Sequence, residues 1–426
     1  MIKLQVTKYT ISKSVFAWSL YDWANSAFAT TVMAGFFPIF FKQYWSAGVD
    51  STVSTLQLGV GNTVASIFIV LLAPVMGAIA DKAGVSKRNL IVFASLGIIM
   101  TALLYSVKQG DWLSAISCYC VATIGFMGAN IFYDALIVSV TQAEQRHWVS
   151  SLGYAMGYLG GGLLFAINVA MTLAPATFGI TDAAAAVKLS FISVAIWWAI
   201  FSLPLVYYVK EPMVKQRVHG WESIRSGFQQ VLATLAKVRL IRNAWLFLLA
   251  YWLYIDGVDT IVRMAVDYGL SIGMGQNDLI VALLITQFVG FPAALAFGVI
   301  GRRVGPKQGV YLGLAVYIGI TFWAVFIKQS WEFYTLAIAI GLVQGGVQAL
   351  SRSLYASLIP PHQSGEFFGF YNMMGKFATV LGPLLVGVFS VLSGSHRVGL
   401  LSILILFIAG GALLYKVDVT RGVDHV

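Results

Sequence analysis

Long apolar runs recur along the whole sequence and constrain its fold more than any other feature. A helix needs ~20 mainly apolar residues to cross a bilayer. With 59% hydrophobic and 10% charged residues, the chain lies outside the soluble range of about 25% charged residues. The sequence therefore predicts an all-α polytopic membrane protein with twelve transmembrane helices. The twelve runs are roughly 15–41, 55–80, 90–107, 112–140, 149–175, 187–209, 243–268, 277–300, 308–327, 332–358, 367–392 and 396–415.

The basic residues between these runs predict the orientation. Nineteen Lys and Arg fall in the N-terminus, alternate loops and the tail, whereas five fall in the other loops. The positive-inside rule places both termini and the central loop in the cytoplasm, in a bacterial-type cytoplasmic membrane. The net charge of +10 is thus explained by the basic residues of the cytoplasmic loops, which set the orientation in the membrane. We therefore expect membrane lipids around the chain and no nucleic-acid partner.

The central loop, 210–242, separates six spans from six. We call residues 1–209 the first bundle and residues 243–426 the second bundle. Apolar residues recur at helical spacing from Trp221 to Val238, with basic residues between them. This pattern predicts an amphipathic helix on the cytoplasmic membrane surface, and a partner-binding helix is the alternative.

The two bundles repeat a glycine-rich basic loop at the same position, after the second and the eighth span. We expect the glycines to let helix ends approach closely and the charged residues to clamp neighbouring helix ends. The motif residues are Gly77, Asp81, Lys82, Gly84, Lys87 and Arg88 in the first bundle, and Gly298, Arg302 and Gly305 in the second.

Two pseudo-symmetric six-helix bundles with this loop resemble the major facilitator superfamily. Shorter motifs narrow this resemblance: Tyr21–Ser26 (YDWANS), Phe132-Tyr133, Gly157–Gly161, Asp256-Gly257 and Gly341–Ser353. In these motifs the chain resembles the vacuole-effluxer-like family, whose eukaryotic members include an autophagy-related amino-acid exporter. The resemblance implies efflux of small metabolites, amino acids among them.

The chain departs from that family pattern at three positions. Asp134 and Asp259 stand where the family has Asn, and Arg302 replaces the acid of the second loop motif. The two aspartates add negative charge to the interior, which favours a cationic solute or a metal chelate as an alternative substrate.

Charged residues inside the spans are the first candidates for a site, because a charge at the bilayer centre costs roughly 3 kcal/mol or more. Asp256, Asp259 and Arg263 lie on one face of the seventh span. They form either a self-neutralised polar stripe or a ladder for substrate or protons, in which Asp256 is the candidate for titration.

A second charged set combines acids of the first bundle with bases of the second: Asp22 and Asp134 with Arg352 and Lys376. Opposite charges on two rocking bundles can pair when one side closes and part when it opens. We therefore predict an inner gate or a clamp for an anionic group. In the alternative, each charge is satisfied within its own bundle. Asp22 is either a gate partner or a proton site.

Uncharged polar residues at helical spacing complete the predicted cavity lining. Hydrogen bonds that hold helices together are the alternative role for the amides, and Tyr133 belongs either to an aromatic wall or to an interface belt. These candidates are Asn25, Ser26, Asn130, Tyr133, Gln344 and Gln348.

The motifs of other functional classes are not found in the sequence. It has no Walker-type phosphate loop and no H-E-x-x-H motif, and Cys118 and Cys120 point to different helix faces. We expect no catalytic residues, metal or cofactor, and no channel filter or receptor domain. The sequence predicts a monomeric secondary active transporter that moves a small polar metabolite by alternating access. Efflux coupled to protons and uncoupled facilitation or exchange both remain open.

Overall fold

The computed structural model describes residues 11–49, 51–210, 241–271, 275–327, 329–377, 381–393 and 396–419. The predicted amphipathic helix at 221–238 lies outside these residues. The backbones of Asp81, Lys82, Arg263 and Lys376 are helical, but their side chains lie outside the description.

The first bundle begins with a long helical rod whose winding changes along its length. Helix α1 (Lys13–Ala27) passes into a π-helical stretch, Phe28–Phe36, and then into α2 (Phe37–Phe40) and a second π-helical stretch, Phe41–Trp45. The Asp111 and Asp182 carboxylates accept backbone N–H groups in the first turns of α5 and α7 and so begin these helices. The helices are α1 (Lys13–Ala27), α2 (Phe37–Phe40), α3 (Ser51–Ala83), α4 (Ser86–Leu103), α5 (Trp112–Val140), α6 (Arg146–Leu173) and α7 (Ala183–Tyr208).

The second bundle repeats the pattern of long helices joined by short turns. Gly305 has φ of +93° and Gly84 has φ of +63°, so the turn of each loop motif uses the left-handed region that favours glycine. The helices are α8 (Arg242–Ser271), α9 (Gln276–Val304), α10 (Pro306–Ala324), α11 (Ser330–Leu358), α12 (Ser364–Phe377), α13 (Leu381–Ser393), α14 (His396–Leu401) and α15 (Ile403–Tyr415).

The helices have the length and the outer surface of a multi-pass membrane protein. Within the described residues, nine helical stretches are long and apolar enough to cross a bilayer. Large apolar side chains face outward, among them Leu173, Ile200 and Leu392. Such a surface is stable against lipid, and backbone hydrogen bonds within helices satisfy the polar groups there. The chain is therefore an integral, multi-pass membrane protein.

Two lysines of the repeated loops clamp helix ends in the same way. Lys87 Nζ donates to the carbonyl oxygens of Val206 (3.3 Å) and Val209 (2.9 Å) at the end of α7. Lys307 Nζ donates to those of Tyr415 (2.9 Å) and Val417 (2.8 Å) at the end of α15. A cation there satisfies terminal carbonyls and the helix dipole. Arg88 and Arg302, by contrast, are exposed.

Gly77 and Gly298 lie where the two bundles touch. A Cβ on Gly77 in α3 would overlap the Gly365 backbone in α12. A Cβ on Gly298 in α9 would lie 2.8 Å from the Ser151 Cβ atom in α6. Both contacts cross from one bundle to the other, so these two glycines permit close approach of helices from different bundles.

Candidate functional site

A polar cavity of about 360 Å³ lies between the bundles. Its walls come from α1, α5 and α6 of the first bundle and from α8, α9, α11 and α12 of the second. Ten predicted site residues line it: Asp22, Asn25, Ser26, Asn130, Tyr133, Asp134, Asp259, Gln344, Gln348 and Arg352.

Helical spacing explains how these side chains reach one cavity. Residues three or four apart share a helix face, so a polar stripe on each helix faces the same space. On α11 the stripe is Gln344, Gln348 and Arg352. On α1 and α5, Asn25 Nδ2 donates to Asn130 Oδ1 at 2.7 Å. Asn25 and Asn130 therefore line the cavity and also join α1 to α5.

Arg352 is the most extensively bonded of the lining residues. Its Nε donates to Ser150 Oγ (2.9 Å) and its Nη2 to the Ser150 carbonyl oxygen (2.9 Å). Its Nη1 donates to Asp134 Oδ1 at 3.1 Å. The side chain is 2% exposed. All three partner atoms belong to the first bundle, so a buried guanidinium of the second bundle is held across the boundary.

Aromatic rings surround the same guanidinium. Its central carbon lies 4.4 Å from the Tyr154 ring centroid, 4.9 Å from that of Trp18 and 5.4 Å from that of Tyr133. Trp18 and Tyr133 stack with centroids 4.4 Å apart. Ring faces attract a cation within about 6 Å. These rings thus stabilise Arg352 where water is excluded.

Two carboxylates share this one guanidinium, at different distances. Asp134 contacts Arg352 directly, and its Oδ2 also accepts from Asn372 Nδ2 at 3.1 Å. Asp22 Oδ2 lies 3.7 Å from Arg352 Nη1 and accepts a hydrogen bond from the Tyr133 hydroxyl at 2.9 Å. Asp134 is therefore hydrogen-bonded to Arg352, whereas Asp22 lies only at ion-pair distance from it.

Further hydrogen bonds join α6 to α11 at the same end of the cavity. His147 Nδ1 and Ser353 Oγ lie 2.9 Å apart, and Arg146 Nη1 donates to the Ala356 carbonyl oxygen at 3.0 Å. Ser150 Oγ donates to the Ala349 carbonyl oxygen at 2.8 Å. These contacts and the Arg352–Asp134 pair form a buried layer at the Arg352 end of the cavity; we call it the interbundle layer.

Asp256 does not line the cavity. It is buried, and its carboxylate accepts the backbone N–H groups of Leu381 (2.9 Å) and Gly382 (3.0 Å) at the start of α13. The Thr260 hydroxyl donates to it at 3.2 Å. These donors fit an anionic helix cap. Asp256 and Asp259 therefore face different surroundings, contrary to the expectation of one continuous polar ladder.

For two predicted charged residues, Arg263 and Lys376, the structure gives no side-chain contacts. The side chains of Arg263 and Lys376 lie outside the described part of the chain. The expected Asp259–Arg263 pairing and the Lys376 arm of the gate stay predictions.

The structure adds lining residues that the sequence analysis did not single out. Tyr154, Gln287 and Asn372 line the cavity, and Ser150 binds Arg352 next to it. Tyr154 and Tyr158 are four apart on α6, a spacing that signals a shared face. Local sequence carries no signal for Ser150, because its partner is 202 residues away.

The helical fold and the cavity between its bundles define a membrane transporter of the major facilitator superfamily type. The human organic anion transporter MFSD10 (TETRAN) has the same fold, with a TM-score of 0.72 at 13% identity over 96% of this chain and 100% of that chain. The chain is 37% identical over 411 residues to the uncharacterized MFS-type transporter YxiO of Bacillus subtilis, covering 96% of this chain and 95% of that protein.

The particular family follows from the sequence match. The family model described as "Vacuole effluxer Atg22 like" matches residues 10–426, and the chain belongs to this family. Autophagy-related protein 22 of Yarrowia lipolytica is 27% identical over 303 residues, or 64% of this chain and 51% of that protein. The relatives and structural neighbours are transporters, not enzymes, which confirms the class predicted from sequence.

Proposed function

We propose that the protein is a secondary active transporter that exports a small polar, amino-acid-like metabolite by alternating access. The first bundle and the second bundle, with six spans each and both termini in the cytoplasm, rock about the central cavity. The observation that carries the proposal is a cavity of about 360 Å³ with walls from both bundles and with the buried interbundle layer at its Arg352 end. The family's description as an effluxer supports export.

The cavity charge supports a substrate with an ammonium group. The described lining contains three acids, Asp22, Asp134 and Asp259, and one base, Arg352, a formal sum of −2. Amide side chains, tyrosine rings and the hydroxyl groups of Ser26 and Thr30 provide the rest of the described polar lining. The volume lies near the lower end of the ~300–1,000 Å³ of small-molecule sites. The same charge favours a purely cationic solute as the second candidate.

The interbundle layer serves as the inner gate in this proposal. Under the predicted orientation Arg146 follows a cytoplasmic loop, so the layer closes the cytoplasmic side. Opening that side requires Arg352 to leave Asp134 and Ser150. A bound ammonium group compensates the acids during the change. Asp22 acts as a gate partner that binds either Arg352 or substrate.

Cross-linking tests the alternating-access step. His147→Cys with Ser353→Cys, in a background without Cys118 and Cys120, places thiols on α6 and α11, where the native side chains are 2.9 Å apart. A short bifunctional thiol reagent should stop transport, and a cleavable reagent should restore it on reduction. Asn168→Cys with Ser193→Cys is the matched control, because that 2.8 Å pair lies within the first bundle. Full transport by the cross-linked α6–α11 protein would contradict the gate.

Flux into inverted vesicles tests substrate and coupling. Radiolabelled neutral amino acids, basic amino acids and amines are compared with and without an imposed pH gradient. Saturable uptake that the gradient accelerates supports proton-coupled efflux. Equal uptake without a gradient, with acceleration by substrate on the other side, indicates exchange. Uptake of amines but not of neutral amino acids favours the cationic alternative.

A further inference from the structure

A second, smaller pocket of about 80 Å³ lies inside the second bundle, next to the central cavity. Helices α8, α9 and α11 enclose it with apolar side chains, among them Val262, Ala282, Leu283, Leu336, Ala337 and Ile340. Gln344 lines this pocket and the central cavity as well. The central cavity and the smaller pocket are therefore neighbours, with the Gln344 side chain in the wall of each.

The helix registers show in which direction the pocket extends. On α11, Arg352, Gln348 and Gln344 line the cavity, and Ile340 and Ala337 continue the same face into the pocket. Ile340 lies one turn beyond Gln344, about 6 Å at 1.5 Å per residue. The pocket thus lies beyond the cavity at the end opposite to the interbundle layer.

On α8 and α9 as well, a residue that lines the cavity lies close in sequence to one that lines the pocket. On α8, Asp259 lines the cavity, and Val262, about 4.5 Å further along the axis, lines the pocket. On α9, Gln287 lines the cavity and Thr286 the pocket. A carboxylate and an apolar recess therefore lie next to each other.

Among the lining side chains that the structure describes, Thr286 carries the one hydroxyl, and it is already bonded. Thr286 Oγ1 donates to the carbonyl oxygen of Ala282 at 3.0 Å and of Ala337 at 3.3 Å. The described part of the wall then offers little to hold water apart from the Gln344 amide. Apolar cavities of this kind stay dry and accept apolar groups. The space suits an aliphatic group of a few carbon atoms.

We propose that this recess is a side-chain subsite: the aliphatic part of the transported molecule enters it while the charged part stays at Asp259 in the polar cavity. The subsite rests on the proposed transport function and adds to it the class of substrate, a small amphipathic amine or amino acid with a short aliphatic chain. Selection by chain length follows from the fixed space between α8, α9 and α11.

A homologous series of straight-chain 2-amino acids, from glycine to norleucine, tests the subsite in inverted vesicles. The readout is the concentration that gives half-maximal flux. Each added methylene should lower this concentration about fourfold until the recess is full, since burial of one CH₂ contributes about 0.8 kcal/mol. The same series of primary alkylamines shows whether the carboxylate is needed.

Variants that fill the recess provide the decisive comparison. Ala282→Leu and, separately, Ala337→Leu each add three carbon atoms inside it. Both should abolish the dependence on chain length in the flux that remains. Ala296→Leu is the matched control, because Ala296 is exposed on α9 and lines an outward-facing apolar groove.

Three outcomes separate the possibilities. Chain-length dependence in the wild type that both filling variants remove supports the subsite. Wild-type flux without such dependence, or dependence that survives in the filling variants, overturns the subsite and leaves the transport proposal standing. Flux of neither series overturns the amino-acid-like substrate itself, and the subsite with it.

Discussion

Asp134 and Asp256 are two buried aspartates in apolar helices, and they differ in where their partners lie. Asp134 accepts hydrogen bonds from Arg352 and Asn372 of the other bundle. Asp256 accepts them from backbone N–H groups within its own bundle. In a rigid protein the hydrogen bonds of both aspartates would persist. In a transporter whose bundles move against each other, contacts of the first kind must break in each cycle, whereas contacts of the second kind persist.

The comparison predicts its largest effect at Arg352. Arg352→Gln leaves Asp134 and Asp22 buried without a cation, which should destabilise the closed interbundle layer by about 3–5 kcal/mol. Transport should be lost, and cross-linking between His147→Cys and Ser353→Cys should slow more than tenfold. Arg352→Lys keeps the charge but loses the planar fork that binds Ser150 and Asp134 together, so it should be intermediate.

A double variant separates pairing from simple disruption. Asp134→Asn with Arg352→Gln removes both charges of the close pair. It should recover part of the cross-linking rate, because replacing both partners costs less than leaving one charge alone. If the double variant is as impaired as the sum of the two single variants, the pair does not hold the gate and the comparison with Asp256 fails.

Substitution of Asp256 should change the thermal stability of the protein rather than the movement of the two bundles. Asp256→Ala leaves two backbone donors and the Thr260 hydroxyl without their acceptor, at a cost of about 2–4 kcal/mol in the free energy of unfolding. The midpoint of thermal unfolding in detergent, followed by tryptophan fluorescence, should fall. The surviving protein should keep the wild-type substrate concentration for half-maximal flux.

Asp256→Asn retains one acceptor oxygen and should fall between the wild type and Asp256→Ala. It also tests the alternative role of a proton site. Loss of the pH-gradient dependence of flux in a stable Asp256→Asn protein would show that the residue couples protons. Asp256 would then belong with the moving contacts.

The sequence predicts which faces are polar more reliably than which residues meet. The α11 stripe Gln344, Gln348 and Arg352 follows from spacing alone, and the structure places it on the cavity wall. Spacing also placed Asp256 with Asp259, although Asp256 turns to amides 125 and 126 residues away. Periodicity fixes a direction around one helix, whereas a partner depends on the packing of distant helices.

The same limit applies to backbone geometry. The apolar run at 15–41 predicts a helix, and the structure has one, but the π-helical winding of Phe28–Phe36 has no local sequence signal. Such winding is rare and mostly occurs as single turns within α-helices. The basic residues of the repeated loop motif predicted a clamp on neighbouring helix ends, and Lys87 forms one, whereas the adjacent Arg88 is exposed.

A second contact between the bundles joins α3 to α12, and a variant of Gly77 tests it. Gly77→Ala adds a Cβ that overlaps the Gly365 backbone, so α3 and α12 must separate, at a cost of about 1–3 kcal/mol for overpacking. Cross-linking of the α6–α11 thiol pair should slow several-fold. Gly59→Ala on the same helix is the control, since nothing lies within 4 Å of its Cβ position. It should leave cross-linking unchanged, and equal effects of both variants would show that helix propensity is responsible.

The smallest effect is expected at the paired lysine clamps, which lie within single bundles. Lys87→Met and Lys307→Met keep the apolar stem but remove the donor to two carbonyl oxygens at the ends of α7 and α15. Each should lower stability by about 1 kcal/mol, with a small drop in the thermal midpoint and no change in α6–α11 cross-linking. Similar drops at both positions would mean that the two repeats are energetically equivalent as well as alike in sequence. A change in cross-linking for one lysine only would place that clamp among the contacts that move, and the boundary between moving and persistent contacts would then run through a bundle instead of between the two.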